Sequence, residues 1–596
     1  MTTQRETTVR IGCAAGFWGD SRSAARDLVD QGELDYLVFD YLAEITMSIL
    51  ARARVKDASQ GYARDFVTVA AEVMAQCIAR GTKVISNAGG VNPLGCRDAL
   101  QAELDARGVS ARIAVVLGDD LLDRASDLRD QGAVDMFTGQ KLPEEVVSVN
   151  AYLGAGPIAA ALDDGADVVI TGRCVDSAVV LGPLVHEFGW PMDDYDRLAG
   201  ASLLGHLVEC GPMVTGGLHT DWQDVAGWDD ISFPIVECHA DGSGVVTKLP
   251  SKGGAITPAI VSEQIVYEIG DPASYVLPDV VCDWTAVELE TDGDNRVAVR
   301  GARGHEPTSS YKVSATYPDG FRATTTLTLV GSKATDKARA VARMISMRCE
   351  RLLSERGFSP FERFDVEVLG SEAMYGPFGR SDSREVVLKL AVSHAERSAV
   401  SIFAAEIAPA LTATAPGITG FFAGRPAPVA IVRLTSFLLP KDEVTVSVDA
   451  GGVSRELSVA MGAARQRETP RVGVQAEPVV RLPISRLAYG RSGDKGDIAN
   501  IGLIAREPVY VDLLRRMVTE ELVARTFGHL VRGTVTRFEL PGISAFNFVM
   551  TEALDGGGVA SLRMDPQAKA YASILLDVEL DVPLASAKAV GLLVSP

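Results

Sequence analysis

The sequence has no C-x-x-C pair, and its eight cysteines (Cys13, Cys77, Cys96, Cys174, Cys210, Cys238, Cys282 and Cys349) are scattered, with none in the C-terminal part. A disulfide framework or a cysteine zinc site is therefore not expected, and the thiols read as reduced core residues. Seven histidines, none spaced as a ligand pair on one helix, give no metal signature. No apolar run approaches the roughly 18 residues that cross a bilayer. The start, Met1-Thr2-Thr3-Gln4-Arg5-Glu6, lacks the apolar core of a signal peptide, so a cytoplasmic protein with no membrane partner is expected. Positive charge is scarce: 57 Lys and Arg against 78 Asp and Glu give a formal charge of -21. Such a chain offers no general surface to nucleic acid, and any coenzyme A phosphate has to be held by local cations or backbone amides. Gly12, Gly16 and Gly19 do not make the G-x-G-x-x-G fingerprint, so no Rossmann-bound dinucleotide is expected. The basic turn Lys248-Leu249-Pro250-Ser251-Lys252-Gly253-Gly254 lacks the Walker pattern.

What is present is a long chain, 596 residues, too many for one hydrophobic core. Short apolar runs at Val9-Arg10-Ile11, Tyr36-Leu37-Val38-Phe39, Lys83-Val84-Ile85-Ser86, Ile113-Ala114-Val115-Val116-Leu117 and Val168-Val169-Ile170 alternate with helical stretches such as Ser21 to Gln31 and Tyr62 to Ala79. Strand, glycine-containing loop, helix, strand is the pattern of a parallel sheet covered by helices, with ligands beyond the carboxyl ends of the strands. From Phe233 to Leu329 alternating strands with Pro and Gly turns take over, then a helix from Ala334 to Glu355. Arg465 to Pro478 is polar with no periodicity and reads as a linker where proteases should cut first. A helix near Val509 to Phe527 and strands at Thr534 to Leu540, Ser544 to Thr551 and Ile574 to Val582 complete a small unit. The expected fold is α/β: a Rossmann-like parallel sheet core (1–232), a second α+β part (233–462), a linker (463–479) and a ferredoxin-like α+β domain (480–596).

The densest chemistry lies at Tyr489-Gly490-Arg491-Ser492-Gly493-Asp494-Lys495-Gly496-Asp497-Ile498-Ala499-Asn500-Ile501-Gly502. A surface turn needs one or two of Gly, Asn, Asp and Pro. Here Arg491 and Lys495 bring cationic donors, Asp494 and Asp497 carboxylates, Ser492 a hydroxyl and Asn500 an amide, on a glycine-hinged loop whose backbone can come close to something. Ion pairing within a capping loop is the bland alternative.

The strand ends are polar as well. Trp18 and Asp20 sit in the loop after the first strand, although Asp20 would also serve as an N-cap. Asn87, Gly89, Gly90 and Asn92, in Asn87-Ala88-Gly89-Gly90-Val91-Asn92-Pro93, would offer donors to a carbonyl or thioester oxygen, or simply form a tight βα turn. Arg173 and Asp176 follow the fifth run and would pair if merely structural. Glu209, ahead of Cys210-Gly211-Pro212, would have a raised pKa in an apolar setting and suit acid/base work.

At the Gly-Phe-Trp-Gly-Asp loop, Asn87 to Pro93, Gly172-Arg173 with Asp176-Ser177-Ala178, Glu209-Cys210 and Ser492 to Asp497, the sequence resembles the acyclic terpene utilisation family, AtuA. The likeness spans nearly the whole chain, with an AtuA core to about residue 460 and an AtuA-like ferredoxin-fold domain from about 480. It implies a place in the degradation of geraniol- and citronellol-type branched acids as coenzyme A thioesters, but carries no reaction over residue by residue. From chemistry, Lys495, Asp494, Asp497, Glu209, Arg173 and Asp176 are the catalytic candidates. Trp18, Asp20, Asn87, Gly89, Gly90, Asn92, Arg491, Ser492 and Asn500 are the substrate-binding ones. The expectation is a lyase or hydratase acting on an acyl-CoA or carboxylate, a homo-oligomer with no tightly bound metal, flavin or nicotinamide, and with coenzyme A only as part of the substrate. An acyl-CoA thioesterase and a non-catalytic acyl-CoA-binding or assembly subunit of a carboxylase pathway are the alternatives.

Overall fold

A computed structural model describes residues 8–379, 383–419, 424–459, 461–462, 479–558 and 560–583, with isolated positions to 592. Five strands pair in parallel at its centre: β1 (Val9–Cys13), β2 (Tyr36–Phe39), β3 (Lys83–Ser86), β4 (Ile113–Leu117) and, after β5 (Ser148–Ala151) in a different sheet, β6 (Val168–Thr171). Their spatial order is β1-β2-β3-β6-β4. Every residue of β2 and β6 is buried, as expected where helices cover both faces. The helix Arg64–Arg80 buries Phe66, Val67, Val69, Ala70, Val73, Met74 and Cys77 on one side and stops at Gly81, whose φ of 76 is the left-handed conformation glycine tolerates best. Antiparallel strands extend the sheet on both flanks. Pro234–Cys238, Gly244–Lys248, Val297–Arg300 and Glu288–Thr291 lie beyond β1, and Val446–Ala450 and Val453–Leu457 lie beyond β4. The change of pattern near Phe233 thus marks a switch from parallel to antiparallel pairing, because alternating strands with short turns can add to an exposed edge without crossover helices. The sheet itself continues.

A second sheet is built on one long strand, Ser310–Val330, which pairs antiparallel with β5, Glu385–His394 and Val429–Pro440. The helix expected over 334–355 is present at Ala334–Glu355, and it packs with Arg397–Ala413 on this sheet.

The C-terminal domain has a four-stranded antiparallel sheet in the order Ala488–Lys495, Ile498–Ala505, Ala545–Met550, Val535–Leu540, with helices Val511–Met517, Glu520–Phe527 and Tyr571–Leu576. Two expectations are corrected here. Residues 574–582 are not one strand: Ile574 lies in the helix Tyr571–Leu576, and the strand is Glu579–Pro583, paired with Val479–Pro483. The charged segment is not a loop but a hairpin, in which Lys495 pairs with Ile498 around Gly496-Asp497. Gly496 takes the left-handed turn position with φ 62, and Gly493 and Gly502 serve close packing within strands. A Cβ on Gly502 would lie 2.0 Å from Val266 Cγ2, and one on Gly493 would lie 2.6 Å from the Tyr267 ring. The expected linker falls outside the described residues apart from its last position, Val479. Among the described residues no helix is long and apolar enough to cross a membrane.

Candidate functional site

The carboxyl ends of the parallel strands, the second sheet and the tip of the C-terminal hairpin enclose one cavity of about 580 Å³. That is within the range of ligand pockets. Arg173, Asp176 and Ser177 come from the loop after β6. His206 and Glu209 come from the end of the helix Tyr195–Val208, Lys312 from the long strand and Lys495 from the hairpin. The other wall is apolar, with Val175, Tyr275, Leu277, Pro278, Val281 and Leu438. Arg173 and Lys312 flank the Tyr152 ring, with the Arg173 guanidinium carbon 4.4 Å and the Lys312 Nζ 4.8 Å from its centroid.

Three carboxylates meet at the polar end. One oxygen each of Asp40, Asp176 and Glu209 lies within 4.8 Å of the others. Asp40 follows β2 directly and is oriented by Asn87, whose Nδ2 donates to Asp40 Oδ1 (2.6 Å) while its Oδ1 accepts from the Tyr41 amide (2.7 Å). Asp176 accepts from Arg173 Nη1 at 3.1 Å, and Arg173 also donates to the Leu42 carbonyl. Glu209 Oε1 lies 3.2 Å from His206 Nδ1. Burial raises Asp40 well above the usual carboxylate range, and the charges of Asp176 and Glu209 push it further. Burial also raises Glu209, against the opposing pull of His206 and Lys495. Cys210 is a poor nucleophile here, because burial and then the neighbouring carboxylates raise its thiol.

At the hairpin tip Lys495 Nζ contacts Glu268 Oε2 at 3.1 Å, and Lys569 Nζ approaches Glu268 Oε1 at 3.4 Å. Burial alone would raise Glu268, but the two ammonium groups outweigh it and hold the carboxyl below its ordinary value. Lys495 and Glu268 also line a smaller cleft of about 130 Å³ beside the main cavity, together with Asp494, Arg433 and Gly557. Lys495 therefore stands between two spaces, with 41% of its side chain exposed.

Of the residues singled out from sequence, Arg173, Asp176, Glu209 and Lys495 share the main cavity and Asp494 lines the adjoining cleft. The others hold the scaffold. Trp18 Nε1 donates to Asp65, and Asp20 accepts from the Gly16 and Ser21 amides. Gly89 and Gly90 make a turn packed on Thr171 and Leu50, and Asn92 caps the helix Pro93–Ala106 through the Gly95 amide. Ser492 Oγ donates to the Ala568 carbonyl and accepts from the Ala572 amide, while Asp497 accepts from the Leu554 and Gly556 amides. Asn500 ties the hairpin to the Val266 carbonyl and the Glu268 amide, and Arg491 pairs with Glu263. Asp40, His206, Glu268 and Lys312 escape the sequence reading. Only Asp40, directly after a strand in a chain whose strand ends are polar, carried a signal there.

Comparison with protein-family models gives two matches. The model described as acyclic terpene utilisation family protein AtuA covers residues 9–450, and the AtuA ferredoxin-like domain covers residues 482–581. No curated protein matches the chain.

Proposed function

The chain belongs to the acyclic terpene utilisation family AtuA, whose models cover most of its length, and from that premise we propose that it is an enzyme of branched acid catabolism, a lyase or hydratase acting on an acyl-CoA thioester or the corresponding carboxylate. The observation that carries this reading is the cavity itself: an apolar wall on one side and, on the other, Arg173, Asp176 and Glu209 of the core joined by Lys495 from the distant C-terminal hairpin. A branched hydrocarbon chain suits the wall formed by Val175, Leu277, Val281 and Leu438, while the acyl oxygen meets the cations. Adding water across a conjugated C2–C3 bond requires a proton at C2 and hydroxide at C3. Cleaving the same bond in a 3-hydroxy thioester requires removal of the hydroxyl proton and protonation of the enolate carbon. Both need a positive group at the thioester oxygen and a group that exchanges protons beside it. Arg173 and Lys312 suit the first role, and Lys495, backed by Glu268, suits the second.

The test is turnover of branched C10 enoyl and 3-hydroxyacyl-CoA thioesters and of their free acids, followed by mass spectrometry. Lys495→Ala should lower turnover by roughly 10²-fold, as for a lost acid/base or electrostatic group. Its melting temperature should stay close to wild type, because the side chain is half exposed. Release of free thiol without other change would favour the thioesterase. Ligand-dependent stabilisation without turnover would favour the binding subunit.

A further inference from the structure

The carboxylate cluster poses an electrostatic problem. Asp40 and Glu209 are buried and Asp176 is half-buried, and three such groups within 4.8 Å of one another repel unless protons or a cation come between them. The nearby fixed cations already have partners: Arg173 contacts Asp176 and the Leu42 carbonyl, and Lys495 contacts Glu268.

His206 supplies the second observation. Its Nε2 lies 3.0 Å from the Gln264 carbonyl oxygen, which can only accept, so Nε2 carries a hydrogen and, in the neutral form of the ring, the lone pair sits on Nδ1. The ring is 2% exposed, and Nδ1 makes no well-aligned hydrogen bond among the described residues, its polar neighbour being the Glu209 carboxylate. It points at Glu209 Oε1 from 3.2 Å. A lone pair facing a carboxylate oxygen at that spacing calls for a proton or a cation nearby, although His206 is not among the groups that meet within 4.8 Å of one another. A single proton on Glu209 would satisfy His206 but leave Asp40 and Asp176 facing each other.

We propose that Asp40, Asp176 and Glu209, with His206 Nδ1 beside them, form a site for one exchangeable divalent cation of the magnesium or manganese class. An oxygen-dominated ligand set without cysteine selects hard ions over zinc or copper. The site opens on the cavity through Asp176 and Glu209, so its cation would polarise a substrate carbonyl or hydroxyl oxygen there. This catalytic role rests on the function proposed above; the binding of the ion does not.

The test is electron paramagnetic resonance of Mn2+ titrated into the full chain after chelator treatment, without substrate. One ion per chain should lose its free-ion signal and be displaced by excess Mg2+. Asp176→Asn and Glu209→Gln should each weaken binding about tenfold or more, while Asp193→Asn, on the surface, should leave it unchanged. Asp176 is half-buried, so its variant should fold and decides the matter if Glu209→Gln does not. An undiminished free-ion signal from wild type up to about 1 mM Mn2+, or equal binding by both variants, overturns the site. Mn2+ binding with no turnover of any acyl substrate would sink the acyl-CoA reading and leave the site standing. Full turnover by chelated protein that never binds Mn2+ would do the reverse.

Discussion

At the scale of single residues, the strand ends show how burial decides chemistry. Asp119, just after β4, is 2% exposed and accepts from the Arg173 amide (2.8 Å) and Asn150 Nδ2 (3.0 Å). Burial raises its carboxyl from 3.8 to about 7, outweighing those two donors. The folded protein therefore holds this proton more tightly than the unfolded chain. The stability it contributes is complete below the unfolded value of 3.8 and is lost as pH rises towards about 7. Asp119→Asn, neutral throughout, should remove that decline: relative to wild type its melting temperature should climb between pH 4 and 7 and level off above. Parallel melting curves across that range would show that Asp119 is ionised in the folded state. Gly172 fits the same argument, since a Cβ there would sit 2.2 Å from Asp119 Oδ1.

At the scale of elements, the hairpin Ala488–Lys495 and Ile498–Ala505 is a docking device whose glycines, apart from Gly496 in the turn, lie in strands. Gly502 faces Val266, with only 2.0 Å between the Cβ of a residue larger than glycine and Val266 Cγ2, whereas Gly490 faces the end of Leu576 at 3.2 Å. Gly502→Ala should therefore cost about 1–3 kcal/mol through overpacking, and Gly490→Ala should cost less, because a leucine tip can shift. Denaturant unfolding of the two variants measures the difference. Equal and small effects would mean that the hairpin does not press on residues 266–268 as described. Activity should fall with Gly502→Ala too, since the same hairpin carries Lys495 to the cavity.

At the scale of the whole molecule, the C-terminal domain is bound to the core by a buried polar seam. Arg491 Nη2 contacts Glu263 Oε2 at 3.0 Å, with 3% and 0% of the two side chains exposed, and Glu263 also meets His219 Nδ1 at 3.0 Å. Asn547 Nδ2 donates to the Ile269 and Gly270 carbonyls at 2.9 and 2.7 Å. Burial alone would raise Glu263, but His219 and Arg491 hold it below its usual value. Arg491→Met strands that charge and should cost about 3–5 kcal/mol, splitting one calorimetric transition into two as the domains part. Arg491→Met with Glu263→Leu should recover much of the loss, since an apolar pair of similar volume often replaces a buried ion pair without penalty. A single variant that melts like wild type would show that the seam does not hold the domains together.

The sequence alone determined much of the architecture. Three-to-five-residue apolar runs followed by polar ends read as β1 to β4 and β6 because parallel strands buried on both faces leave a signal within each short segment. The helix Ala334–Glu355 was equally legible from its periodicity. Local pattern failed where a glycine's purpose lies across a contact: the run from Gly490 to Gly502 looks like a hinge until Val266 and Tyr267 are seen packed on it. The candidate site was half legible. Arg173, Asp176, Glu209 and Lys495 stand out by type and setting, but Asp40, His206, Glu268 and Lys312 are single polar residues in ordinary segments. Only the tertiary structure brings Asp40, Asp176 and Glu209 within 4.8 Å, because they sit on two strand-end loops and a helix end that meet through the fold and not through the chain. Charge acts through space, so the burial and mutual repulsion that give those carboxylates their chemistry exist only once the chain has folded.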